Sequence, residues 1–184
     1  MQKLMQVLIA LMFVAYPFLV GWSLARGSFM AVSIMLIALG LLRLLVKSSA
    51  FLWPLSLFTV VCGAMSVLFN DHMWLKVYPV LTSLGAFAIF ASTLWRPPSM
   101  IERFARIMQP DLPASGVQWT RRVTFVWCGF FILNAAISWW TSVYASTEIW
   151  VLYNGFISYV LMGILLIGEF ILRKRHQRLQ HNNE

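Results

Sequence analysis

Apolar residues in this chain gather in long unbroken runs, without the alternation of barrel strands or the one-sided stripe of a soluble helix. Six runs, at positions 4–24, 29–45, 51–69, 77–95, 123–143 and 150–172, approach or exceed the roughly 20 residues a helix needs to cross a bilayer. Lipid supplies no hydrogen bonds, so each run must satisfy its backbone within its own segment as a helix. The expectation is an all-α polytopic transmembrane helical bundle of six spans, forming a single integral membrane domain over 1–184. Arg26-Gly27-Ser28, Asn70-Asp71-His72 and a short turn holding Glu148 separate successive runs. Pro17 is expected to kink the first span. Cys62, Gly63 and Ser66 in the third, and Gly85, Ala88 and Ser92 in the fourth, are small enough for close helix approach. Trp139-Trp140 would anchor the fifth at an interface. Ser23-Leu24-Ala25 would also suit a signal peptidase, but the apolar region before it exceeds the roughly 7–15 residues usual for a signal peptide. A retained span is therefore the main expectation, and the polar end, 176–184, is expected to be disordered.

The long interval without a hydrophobic span is the loop 96–122, which sets five arginines against two acids. Ser99 and Glu102 have capping-box spacing, which predicts a short helix starting there and stopping before Pro110. Met100, Ile101, Phe104, Ile107 and Met108 would share one face of it, with Glu102, Arg103 and Arg106 elsewhere, the pattern of an interfacial or docking helix lying flat on the membrane. Arg96, Arg103, Phe104, Arg106, Ile107, Asp111, Arg121 and Arg122 are the candidate partner- or lipid-binding residues. The plainer reading makes the loop a connector whose arginines fix topology.

Composition agrees with a membrane protein: 60% hydrophobic, 11% charged and a mean hydropathy of +0.77. The formal net charge of +8 would suit nucleic acid, but the cations sit at span ends. With both termini inside, Lys3, Arg43, Lys47, Arg96, Arg103, Arg106, Arg121, Arg122, Arg173, Lys174, Arg175 and Arg178 fall on the cytoplasmic side and only Arg26 and Lys76 outside. That is the positive-inside asymmetry of a multi-pass membrane protein, and it leaves no basic face for nucleic acid. Cys62 and Cys128 differ in depth by roughly 9 Å at about 1.5 Å per residue, too far for a disulfide.

Chemistry has few places to sit. The histidines are His72 in an outer turn and His176 and His181 near the end of the chain, so no catalytic or metal cluster is visible and no cofactor is implied. Intramembrane polar residues are Asn134, Asn154 and Glu169. Asn134 would hydrogen-bond across helices or line a polar path; Asn154 lies at a different depth, so the two do not obviously build one site. Glu169 would pair with Arg173 at i+4, or hold Arg121 or Arg122 and lock the loop to the bundle.

Several motifs support a resemblance: Tyr78-Pro79-Val80, Arg96-Pro97-Pro98 with Ile101-Glu102-Arg103, Pro110-Asp111-Leu112-Pro113, Thr120-Arg121-Arg122-Val123-Thr124, Val126-Trp127-Cys128 with Phe130-Phe131 and Asn134, Trp150 with Tyr153-Asn154-Gly155, Met162-Gly163, and Gly168-Glu169. On these the chain resembles a family of small bacterial inner-membrane proteins associated with aryl polyene and related acyl-lipid assembly, some of which are mistakenly called DNA gyrases. More distantly it is similar to the intracellular septation protein A (YciB) family, through Asp71 and Lys76, Arg96-Pro97, Trp127 with Phe130-Phe131, and Trp150-Val151; Asn154 stands where that family tends to carry a lysine. The first resemblance implies a non-enzymatic accessory or scaffold protein for envelope and acyl-lipid assembly, holding an acyl carrier protein or acyltransferase at the loop. The alternatives are a lipid or small-molecule translocator, with a groove among spans three, five and six, and a septation or cell-envelope protein. Membrane lipids are partners in each case, and a homo-oligomer is open.

Overall fold

The computed structural model describes residues 15–27, 29–45 and 53–181. Among these, every regular element is helical. They are α1 (Ala15–Ala25), α2 (Phe29–Leu45), α3 (Trp53–Phe69), α4 (Met73–Trp95), α5 (Met100–Met108), α6 (Ala114–Tyr144) and α7 (Thr147–Leu152), which runs through a π turn (Tyr153–Ile157) into α8 (Ser158–His181). Among the described residues three stretches are long and apolar enough to cross a membrane: Met73–Trp95, Ala114–Tyr144 and Thr147–Arg173. The described parts of α1, α2 and α3 are shorter apolar helices. Positions 4–14 and 51–52 of the expected spans, with Lys3 and Lys47, lie outside the described residues.

The distribution of polarity is that of a protein dissolved in lipid. Hydroxyl residues fill the interior, among them Ser33, Ser66, Ser83, Thr124, Ser138, Thr141 and Ser142, while Phe125, Ile164, Ile167 and Phe170 are exposed. In water that arrangement would waste the hydrophobic effect. In lipid it is what close helix packing through small residues and interhelical hydrogen bonds requires. At the α2–α3 seam Ser33 Oγ donates to Ser66 Oγ at 3.0 Å. One turn away, a Cβ on Gly63 would come within 2.8 Å of the Ser33 carbonyl oxygen, so the backbones meet where the small-residue face of the third span placed them. Between α4 and α6 the contact is aromatic: Phe90 of α4 packs edge-on against Phe131 at 5.1 Å and lies 6.3 Å from Trp127.

Several boundaries differ from those read in the sequence. The fourth helix starts at Met73, not at 77, and carries Pro79 inside it. Asn70 adopts a left-handed φ of 51° in the turn before it, and the Asp71 carboxylate accepts the Met73 N–H at 2.8 Å, supplying a cap. The fifth helix begins at Ala114 rather than 123, so the segment joining α5 to α6 shrinks to 109–113. Residues 114–122 lack the apolar content of a span but contain no proline, and α6 runs through them without a break. At 31 residues it is about 46 Å long, against a hydrocarbon core of about 30 Å. Where the sequence suggested a disordered end from 176, α8 continues to His181, and 182–184 are outside the described residues.

Candidate functional site

Two polar regions occupy opposite ends of the α4–α6 pair. The first is created by Pro79. A proline in a helix interior removes the N–H that would bond the carbonyl four residues earlier, and its ring pushes that carbonyl away. The carbonyl is Leu75, and it is repaired from another helix: Tyr16 of α1 donates its hydroxyl to Leu75 O at 2.7 Å and packs edge-on to Tyr78 at 4.9 Å. The next carbonyl, Lys76 O, accepts from Ser142 Oγ at 2.9 Å and from Trp150 Nε1 at 3.1 Å. Lys76 Nζ donates to Thr147 Oγ1 at 3.0 Å, tying the start of α4 to the start of α7.

From Trp150 a chain of hydrogen bonds runs along α6. Asn154 donates through Nδ2 to Trp150 O at 3.0 Å and to Thr141 Oγ1 at 3.3 Å, and its Oδ1 accepts from Ser138 Oγ at 2.7 Å. One turn further in, Asn134 Nδ2 donates to Ser83 Oγ at 2.9 Å, and Asn134 Oδ1 accepts from Tyr153 OH at 3.1 Å. Asn134 and Asn154 thus belong to one seam, contrary to the sequence expectation. Their depths do differ, but Tyr153, adjacent to Asn154, spans the gap. The backbone widens into the π turn here, where the Asn154 side-chain amide occupies a carbonyl of the helical ladder. Gly155 lets α1 close over the turn: a Cβ there would lie 3.0 Å from Phe18 Cζ.

The second region is the loop side. Of the expected capping box the Glu102 half makes its bond, the carboxylate accepting the Ser99 N–H at 3.3 Å, while the buried Ser99 hydroxyl has no hydrogen-bond partner among the described residues. Two neighbouring helices add caps the sequence reading missed. Thr93 Oγ1 of α4 accepts the Met100 N–H at 2.9 Å, and Thr124 Oγ1 of α6 accepts the Ile101 N–H at 3.3 Å. Each hydroxyl spends its proton on its own helix, on Phe90 O and Thr120 O, leaving lone pairs for the orphan donors of α5. The apolar face of α5 is therefore divided. Met100 and Ala105 are buried against the bundle, and Phe104, Ile107 and Met108 stay exposed. Glu102, expected to point away, is 5% exposed.

The candidate arginines also separate. Arg106 pairs with Glu102 at 2.8 Å and donates to Pro110 O at 3.0 Å; Arg103 Nε donates to Pro98 O at 3.0 Å. Both fasten the loop to itself. Arg96, Arg121 and Arg122 are exposed, and among the described residues their guanidinium groups have no hydrogen-bond or ion-pair partner. Arg121 and Arg122 edge a groove of about 530 Å³ lined also by Leu94, Gln118, Phe125 and Val126. Asp111 is exposed beyond α5. Among the described residues no ion pair within 4 Å joins Glu169 to Arg173, Arg121 or Arg122, though Arg173 is near enough to act on it electrostatically.

A family model described as intracellular septation protein A matches residues 1–180. The chain belongs to that family. An inner membrane-spanning protein YciB of Coxiella burnetii is 25% identical over 173 residues, covering 93% of this chain and 92% of that protein. Two further family members of that name, from Buchnera aphidicola and Acidithiobacillus ferrooxidans, are 25% and 26% identical over 112 and 116 residues, or 59% and 62% of this chain. Those matches reach only 61% and 58% of the relatives' own length. No solved structure matches the chain. Of the two resemblances drawn from the motifs, membership of the intracellular septation protein A family is the one supported, and with it a helical, apolar membrane protein.

Proposed function

We propose that this protein is a non-enzymatic, multi-pass component of the bacterial inner membrane that serves envelope assembly or septation by presenting a fixed cytoplasmic surface to a soluble partner. The observation that carries this reading is the mounting of α5. Thr93 and Thr124 clamp its first turn to two membrane helices, while Phe104, Ile107 and Met108 are left uncovered beside the outward-facing Arg103. A mere connector has no need of two interhelical caps. The matching partner is acidic with an apolar anchor, as an acyl carrier protein or an acyltransferase of acyl-lipid assembly would be.

The full reading has six spans with both termini in the cytoplasm. α2 and α3, at 17 residues each, reach the short end of spanning length. The outer turns are drawn together by the Lys76–Thr147 bond, whereas the arginines of the loop gather at the opposite end, in keeping with the positive-inside rule. A translocator is the weaker alternative, because the polar groups of the Asn134–Asn154 seam are occupied by one another and not turned toward a path.

The test is photo-crosslinking in living cells from single positions at Phe104, Ile107 and Asp111, with adducts identified by mass spectrometry. Adducts to an acyl carrier protein, an acyltransferase or a septation protein are the expected result. Adducts confined to phospholipid would reduce α5 to an interfacial connector and end the docking reading.

A further inference from the structure

We infer that the groove between the loop-side ends of α4 and α6 is a binding site for an anionic phospholipid, with Arg121 and Arg122 holding the phosphodiester headgroup and Phe125, Val126 and Leu94 receiving the acyl chain. This goes beyond partner docking on α5 and stands whether or not a protein binds there.

Three observations converge. Arg121 and Arg122 have no hydrogen-bond or ion-pair partner among the described residues, whereas Arg103 and Arg106 of the same loop are tied to carbonyls or to Glu102. Two adjacent cations repel each other, and a bound anion removes that cost. The groove is also graded along α6: Gln118 and Arg121 lie toward the start of the helix, and Phe125 and Val126 lie one turn further along it. α6 exceeds the hydrocarbon core by roughly 16 Å, which sets Arg121 and Arg122 near headgroup level, where guanidinium groups meet lipid phosphate.

The groove is also apolar where a soluble ligand would want polar groups. Phe125 is 71% exposed and Val126 51%, and with Leu94 of α4 they form a wall continuous with the lipid-facing surface. A free phosphate would use the two arginines and leave this wall unoccupied. A lipid uses both, and its chain needs no desolvation, because it stays in the hydrocarbon it came from. Among the described residues no acid lines the groove to oppose an anion.

The experiment uses the full chain in a mild detergent, with native mass spectrometry recording retention of added phosphatidylglycerol against phosphatidylethanolamine. Wild-type protein should retain phosphatidylglycerol preferentially. Arg121→Gln with Arg122→Gln should weaken that retention by about 30-fold, from roughly fivefold per surface arginine, and leave phosphatidylethanolamine unchanged. Arg121→Lys with Arg122→Lys, which keeps the charge, should retain most of the preference, and Arg26→Gln at the other side of the membrane all of it. Phe125→Ser should weaken retention of the long-chain lipid without abolishing its headgroup selectivity. Equal retention of the two lipids by wild-type protein would overturn the assignment. So would unchanged selectivity in the double glutamine variant, or inorganic phosphate binding to the protein as well as the lipid does. Because the α5 cross-links report on other residues, failure here leaves the docking reading standing, and the reverse also holds.

Discussion

The seam around Pro79 and the groove at Arg121 both set polar groups in an apolar helix pair, and they treat them in opposite ways. In the seam donors meet acceptors on other helices: Tyr16 OH on Leu75 O, Trp150 Nε1 on Lys76 O, Ser138 Oγ on Asn154 Oδ1, Asn154 Nδ2 on Thr141 Oγ1, Asn134 Nδ2 on Ser83 Oγ, and Tyr153 OH on Asn134 Oδ1. Around the groove Arg121 and Arg122 are left unpartnered among the described residues. Satisfied, buried polar networks fix one arrangement of helices, whereas exposed, unspent charge costs the fold little and remains available to a ligand. On that contrast the seam is architecture and the groove is where binding belongs. The two regions should therefore respond to mutation in opposite senses, the seam losing stability and the groove losing only ligand.

The largest loss is expected at Trp150, which is fully buried and bonds both Lys76 O and Ser142 Oγ. Trp150→Ala should lower the unfolding free energy by about 3–5 kcal/mol, read by denaturant titration of the detergent-solubilised protein. A loss under about 1 kcal/mol would mean that the indole fills space without organising the seam.

Next comes the carbonyl that Pro79 frees. Tyr16→Phe leaves Leu75 O without its donor and should cost about 1–3 kcal/mol. Pro79→Ala restores an N–H four residues after Leu75, so in the Pro79→Ala background the same Tyr16→Phe change should cost measurably less. A double-mutant cycle of thermal or denaturant unfolding gives the coupling directly. Additive effects would show that Tyr16 acts through packing on Tyr78 and not through the carbonyl.

The clamp on α5 is smaller again and local. Thr93→Val and Thr124→Val each remove an acceptor from a helix-start N–H while keeping the side chain's volume, and each should cost about 1 kcal/mol. The sharper readout is hydrogen exchange at Met100 and Ile101, which should quicken in the matching variant while amides at the centre of α6 keep their protection. Uniform acceleration through α6 would mean that the threonines serve the α4–α6 contact instead of the loop.

How much of this was legible in the sequence divides along the same line. Hydrophobic run length located the helices because lipid imposes a simple rule, and Ser99 with Glu102 located α5 because a capping box is local. The start of α6 was missed because residues 114–122 are helical without being apolar, and run length sees only the part inside lipid. Asn134 and Asn154 were found as polar residues in spans but read as separate, since linear depth says nothing of the tyrosine between them. A signal was present: Asn134, Ser138, Thr141 and Ser142 recur at helical spacing, as do Trp150, Tyr153 and Asn154, two polar stripes that can face each other. Thr93 and Thr124 carried no such mark, because a single threonine in an apolar helix usually bonds only its own backbone. Nor could charge counting tell Arg106, which is spent on Glu102, from Arg122, which is not. That distinction depends on where Pro110 O and the Glu102 carboxylate end up after folding.

The smallest expected effect on stability is therefore the most informative about function. Replacing Arg121 and Arg122 together by Gln removes no hydrogen bond or ion pair among the described residues. In lipid-free detergent the change should move the unfolding free energy by no more than about 0.5 kcal/mol, or raise it slightly by relieving repulsion between neighbours. In phosphatidylglycerol the wild-type protein gains stability by linkage to the bound lipid, since a ligand that binds only the folded state adds to its free energy. The double variant should gain less, so the two proteins, matched without lipid, separate as it is added. If the double variant is already clearly less stable in detergent alone, the arginines belong to the architecture after all, and the contrast between seam and groove fails.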